Sequence, residues 1–277
     1  MSTPRKHAGL NETENPKWIP GIYNYCDRWC ERCAFTGKCR SFAMEIRDEP
    51  GNDILDDLEA HDIRSREFWD DLSEVMNQTL EYIRKISGET DTEPGAINDQ
   101  QWEYLKKRDE ELELAARQHP VALAAWKYSN LTESWLDLNK DLVAEKEKEL
   151  DTRVKLNAGG KRALTEAELI SDALQIIRWY EPQIWVKLMR ALTGKMGEEE
   201  HTGEPRDSDG SAKVALIAID RSLAAWGQLQ FIFPEHTDDF ITLLLQLDRM
   251  RNAVETEFPQ ARVFHRAGFD DEEETHL

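Results

Sequence analysis

Apolar residues recur at spacings of three to five along most of this chain. No segment alternates apolar and polar residues over a convincing strand length between turn residues. That pattern restricts the fold to helices that bury apolar stripes against one another. Phe68, Leu72, Val75, Leu80, Ile83 and Ile86 mark a stripe within 53–86. Two further helices are expected over about 98–118 and 121–151. The second carries Tyr128, Leu131, Trp135, Leu138 and Leu142, with Pro120 suited to its first turn. Thr165 and Glu168 form a capping-box pattern that would open the next helix, whose stripe runs from Leu169 through Tyr180 to Leu188. Pro182 within it predicts a kink or break near 178–182, because proline removes a backbone hydrogen bond. Residues 211–231 are apolar nearly all round, which marks a central buried helix ended by Phe233 and Pro234. Thr237 would cap a last helix reaching to about Phe258. The expected architecture is an all-α, multi-helix bundle of about six longer helices.

The expected organisation is an N-terminal arm over 1–16, a cysteine-rich metal-binding segment over 17–50, a helical bundle over 51–262 and an acidic tail over 263–277. Residues 197–210 hold six acidic side chains, three glycines and a proline, and read as an exposed linker.

Charge narrows the function. With 55 acidic and 35 basic residues the net charge is −20, which works against broad contact with phosphate backbones or anionic membranes. General nucleic-acid binding is therefore not expected. The N-terminus lacks the apolar core of a signal peptide, and no apolar run approaches the ~20 residues a bilayer needs, so a soluble, cytoplasmic protein is expected. Phosphate-loop, nucleophile-elbow and His-Glu-x-x-His patterns are all missing. The expected core helices carry no Glu-x-x-His motif for a di-metal site. No catalytic residue is assigned.

All four cysteines fall within 26–39, spaced Cys26-x3-Cys30-x2-Cys33-x5-Cys39. Thiolates are soft ligands, and four of them suit zinc or an iron–sulfur cluster. Two disulfides and plain buried thiols are the alternatives; the first is disfavoured because the sequence shows no secretion signal and is long enough not to need staples, the second because all four cysteines cluster in 14 residues. Structural zinc sites favour paired knuckles separated by a longer stretch, and only Cys30-Glu-Arg-Cys33 is a tight knuckle here. The run Cys30-x2-Cys33-x5-Cys39 resembles the halves of [4Fe-4S] sites in SPASM-type auxiliary clusters of radical SAM enzymes and in the iron–sulfur exonucleases of CRISPR adaptation. Cys26-x3-Cys30-x2-Cys33 resembles the radical SAM spacing itself. The resemblance covers about 14 residues. It implies a ligand type and not an activity, since the barrel or sheet those enzymes need has no counterpart in this pattern. The reading is a [4Fe-4S] cluster held by Cys26, Cys30, Cys33 and Cys39, with zinc as the alternative.

Five aromatics (Tyr23, Tyr25, Trp29, Phe35, Phe42) fall in the twenty residues around these cysteines, either as a shell for a metal or as ordinary core. Between Lys17 and Arg47, six basic residues outnumber three acidic ones, so the segment is +3. Such charge would offset an anionic metal–thiolate centre, or dock an acidic protein partner. Asp220 lies in the most apolar helix and needs a partner, for which Arg178, Lys187 and Arg190 are candidates; a buried ion pair is the expectation. Trp69, Trp126, Trp135, Trp179 and Trp226 are expected in the core.

Overall fold

In the computed structural model the described residues are 18–47, 99–156, 160–197 and 206–271. The expected helix within 53–86, Trp69 and the 1–16 arm lie outside them. Among the described residues there are seven α-helices and no strand: α1 (Arg40–Arg47), α2 (Asp99–Gln118), α3 (Pro120–Leu138), α4 (Lys140–Lys155), α5 (Gly160–Gly197), α6 (Asp207–Ile232) and α7 (Thr237–Glu257). The all-α expectation holds. The chain divides into two compact units, one of Met1–Tyr23 and Arg32–Lys106, the other of Asn24–Glu31 and Lys107–Leu277.

In the first unit the chain turns at Gly21, whose φ of 73° suits a residue without Cβ. Ile22 is buried, and the Ile19 N–H donates to the Lys38 carbonyl at 3.1 Å. A short 3-10 turn, Thr36–Lys38, leads into α1.

The second unit is the bundle. Its longest helix, α5, packs most extensively on α6 and also carries α3 and α4, while α7 packs on α6 and α3. The buried face of α5 follows the helical repeat: Ile170, Ala173, Ile177, Tyr180, Ile184, Leu188 and Ala191 are all nearly inaccessible. Phe240, Leu243, Leu247, Met250 and Val254 do the same for α7. Removing a large side chain from such a core costs about 2–5 kcal/mol, so these stripes hold the bundle together.

Several local expectations are corrected. The 121–151 helix is two helices, broken at Asn139, whose N–H and Nδ2 both donate to the Trp135 carbonyl at 3.0 and 2.9 Å. Asparagine competes for backbone groups in this way. Leu138, at the break, is 82% exposed instead of continuing the stripe. Thr165 does not cap: α5 begins at Gly160, and the Thr165 hydroxyl donates back to the Lys161 carbonyl at 3.1 Å. Helix α5 runs unbroken through Pro182. Residues 207–210 belong to α6, where Ser208, Asp209 and Gly210 are buried, and the Asp209 carboxylate caps the Arg206 N–H at 3.0 Å. Trp126 is 59% exposed, whereas Trp135 and Trp226 are core.

Gly210 is held to glycine by crowding. A Cβ there would meet Tyr25 Cε1 at 2.4 Å and Phe264 Cζ at 2.7 Å. The Tyr25 hydroxyl donates to Asp207 Oδ1 at 2.5 Å, and its ring meets that of Phe264 edge-on, so neither ring moves away cheaply. Glycine to alanine inside a helix ordinarily stabilises by about 0.8–1 kcal/mol. Gly210→Ala is expected to reverse that sign and lower stability by about 1–3 kcal/mol in urea denaturation, as overpacking does. A gain in stability would show that the two rings yield.

Asp270 closes the end of the described chain onto α6. Lys213 Nζ reaches both the Phe264 carbonyl (2.5 Å) and Asp270 Oδ2 (2.7 Å), and Arg266 grips both oxygens of the same carboxylate. Burial alone would raise this carboxyl, but the hydrogen bonds from Arg266 and Lys213 outweigh it and hold it well below its ordinary value of 3.8. A carboxyl depressed on folding contributes stability above its unfolded value and loses it as pH falls toward the folded one. Wild type and Asp270→Asn should therefore differ most above about pH 4 and converge below it. Acid titration of the melting temperature checks this; a constant gap down to pH 2 would disprove the assignment.

Candidate metal centre

The strap Asn24–Glu31 belongs to the bundle unit and carries Cys26 and Cys30. Asp27 anchors it. Its carboxylate Oδ2 accepts from the Tyr180 hydroxyl at 2.5 Å and from Arg221 Nη1 at 2.6 Å, and Oδ1 accepts from the Trp29 N–H at 3.2 Å. Its carbonyl accepts from Trp179 Nε1 at 3.1 Å and Gln183 Nε2 at 2.6 Å. Tyr180, Trp179 and Gln183 sit around Pro182 on α5, and Arg221 comes from α6. The Trp29 ring stacks on Trp179 with centroids 5.0 Å apart and meets Tyr180 edge-on. Burial pushes the Tyr180 phenol well above its ordinary range, and the Asp27 carboxylate beside it adds to the rise, so it stays a donor.

Arg28, between the two strap cysteines, has φ 53°. A non-glycine residue in this left-handed region costs on the order of 1 kcal/mol, and the five hydrogen bonds to Asp27 hold it there. The turn brings the Arg28 N–H onto the Cys26 sulfur. Burial raises the Cys26 thiol, while that N–H and the charges of Arg28 and Lys187 oppose the rise. Lys187, from α5, is itself pushed down by burial, with the Cys26 charge acting against the fall.

Cys33 and Cys39 belong to the other unit. The Phe35 N–H donates to Cys33 Sγ at 3.4 Å and the Phe42 N–H to Cys39 Sγ at 3.5 Å. Cys39 stands at the N-cap of α1: its carbonyl accepts from the Ala43 N–H at 3.2 Å, and its sulfur takes the place of the usual capping oxygen. Helix N-termini stabilise negative charge. All four cysteines are half-buried residues, and none is in a disulfide. Among the described residues, no three His, Cys, Asp or Glu side chains are already gathered as ligands of one metal ion.

Sequence reasoning found the cysteines but missed their anchor. Asp27 entered only as one negative charge, and Tyr180 only as part of a stripe. An aspartate between two close cysteines was the available signal; its partners 153 and 194 residues away had none. Asp220 is corrected twice. It pairs with Arg262 at 2.6 Å and Arg251 at 3.7 Å instead of residues of α5, and its side chain is 38% exposed instead of buried. Arg190 pairs with Asp207.

An all-α bundle carrying a cysteine strap is the class that fold and site define. No family model, curated protein or solved structure matches the chain. Among the described residues no helix is long and apolar enough to cross a membrane.

Proposed function

We propose that Cys26, Cys30, Cys33 and Cys39 hold a [4Fe-4S] cluster that fixes the N-terminal segment to the helical bundle, where it can also sense redox state or pass electrons. The observation that carries this reading is that three of the sulfurs accept a backbone N–H from two or three residues onward: Cys26 from Arg28, Cys33 from Phe35 and Cys39 from Phe42. Sulfur in a neutral thiol is a weak acceptor, whereas such donors favour the thiolate and tune iron–sulfur potentials. The donor chemistry therefore fits a metal–thiolate centre. The net +3 over 17–47 offsets the negative charge that four thiolates leave on the cluster. When bound, the cluster supplies one-electron chemistry; this chain supplies the sulfurs, their N–H donors and, through Asp27, the attachment of the strap.

Zinc is the second reading, since the same N–H donors suit a zinc–thiolate site, and a basic interaction face for an acidic protein would follow from it. Anaerobic purification with absorption spectroscopy and metal analysis separates the two. The expected result is a brown protein with a broad visible band that bleaches on reduction, and about four irons per chain. A colourless protein with one zinc per chain would sink the iron–sulfur reading.

A further inference from the structure

The strap is tied along α5 at two places, and a lysine stands between them. At one place Gln183 Nε2 and Trp179 Nε1 donate to the Asp27 carbonyl, at 2.6 and 3.1 Å. At the other the Tyr25 hydroxyl donates to Asp207 Oδ1 at 2.5 Å, and Arg190 Nη2 of α5 reaches both oxygens of that carboxylate at 3.2 Å. Gln183, Lys187 and Arg190 follow one another at spacings of four and three, so they share one face of α5. Cys26 is the strap residue between Tyr25 and Asp27, and Lys187 is the residue of that face between Gln183 and Arg190. The two ties therefore bring Cys26 over the turn of α5 that carries Lys187. The electrostatics agree: Lys187 acts on the Cys26 sulfur, and Cys26 acts on Lys187 ahead of the Asp27 carboxylate.

A lysine is costly at this place. Burial pushes its ammonium down, and the charges of Arg190 and Arg28 push the same way. The neighbouring carboxylates are engaged elsewhere: Asp27 holds Arg221 at 2.6 Å and Asp207 holds Arg190. Among the described residues Lys187 forms no ion pair with a carboxylate. A half-buried cation needs a counter-charge, and the Cys26 sulfur is placed to supply it as a thiolate. Arg28 also acts on Cys26. It is exposed, however, so solvent screens its charge, whereas Lys187 is half-buried on the longest helix of the bundle.

We propose that Lys187 is the charge-compensating residue of the cysteine centre, the cation that α5 holds against Cys26, and that it raises the centre's reduction potential. The inference rests on the iron–sulfur reading above. Reduction takes one electron from an external reductant and adds one negative charge to the centre. A fixed cation beside a ligand sulfur favours the more negative state. Lys187 therefore makes the reduced form easier to reach, and α5 sets the point at which the site responds to redox conditions.

Redox titration of the full chain, purified anaerobically and followed by visible absorbance, tests this in wild type, Lys187→Met and Lys187→Arg. Methionine keeps an unbranched, helix-forming side chain and removes the charge. In Lys187→Met the ratio of reduced to oxidised centre at a fixed potential should fall about tenfold, which moves a one-electron midpoint about 59 mV more negative. Lys187→Arg should stay near the wild-type midpoint. An unshifted midpoint in Lys187→Met with full iron content would overturn the proposal and leave the cluster reading standing. So would a Lys187→Arg midpoint shifted as far as that of Lys187→Met, because charge would then not be the cause. Loss of iron from Lys187→Met alone would support the compensating charge, whereas loss from both variants would overturn it in favour of packing. A wild-type chain purified without iron would instead overturn the cluster reading itself, and this inference with it.

Discussion

Asp27→Ala is expected to lower stability by about 2–3 kcal/mol and to release the strap that carries Cys26 and Cys30. The carboxylate takes hydrogen bonds from Tyr180, Arg221 and the Trp29 N–H. Charged hydrogen bonds contribute about 1.5–3 kcal/mol each when shielded, but Arg221 is 52% exposed, so its share is screened to less than that. Tyr180 is different, being only 1% exposed. Its hydroxyl would lose its acceptor in a part-buried site, at about 1–3 kcal/mol. The Asp27 carbonyl would still receive Trp179 and Gln183, and Trp29 would still stack, so the bundle should remain folded while the strap loosens. Urea denaturation and limited proteolysis at the strap read the two effects separately. Asp27→Asn keeps an acceptor for Tyr180 and should recover part of the loss. An unchanged midpoint with unchanged protease resistance in Asp27→Ala would show that the anchor lies elsewhere.

The second large effect concerns the metal. Cys33→Ser is expected to lower metal content at least tenfold, with the helical circular-dichroism signal preserved. Serine is a hard, neutral oxygen ligand at physiological pH and replaces a soft thiolate poorly. Cys33 lies between the two 3-10 turns and outside the bundle helices, so the buried stripes of α5, α6 and α7 do not depend on it. Visible absorbance and iron or zinc per chain, measured beside wild type, give the answer. Full metal content in a folded Cys33→Ser chain would contradict the ligand set. Combining this result with Asp27→Ala separates ligation from attachment: the first should lose metal and keep the bundle, the second should loosen the strap before it loses metal.

What was legible in the sequence was local. The stripe of α5 recurs every three to four residues because an α-helix buries one face, and that periodicity survives any arrangement of its neighbours. Where local rules failed, a competing local bond won, as with Asn139 donating to Trp135 and Thr165 to Lys161. Pro182 was read as a kink or a break; α5 is continuous through it, and the residues on either side of it are those that hold Asp27. The same residues show why the site was only half visible. Four thiols within fourteen residues mark the segment from which the ligand set is proposed without any knowledge of the fold.

The sequence by itself determined the helical class, the net charge of −20 and the clustering of the four cysteines proposed as ligands, because composition, period and short spacing are properties of neighbouring residues. Only the tertiary structure decided that Asp27 meets Arg221 across 194 residues, that Tyr25 and Phe264 close over Gly210, and that Asp220 turns toward Arg262 instead of α5. Those contacts depend on how each helix is rotated about its axis when ridges pack into grooves, and the spacing within one helix leaves that rotation open.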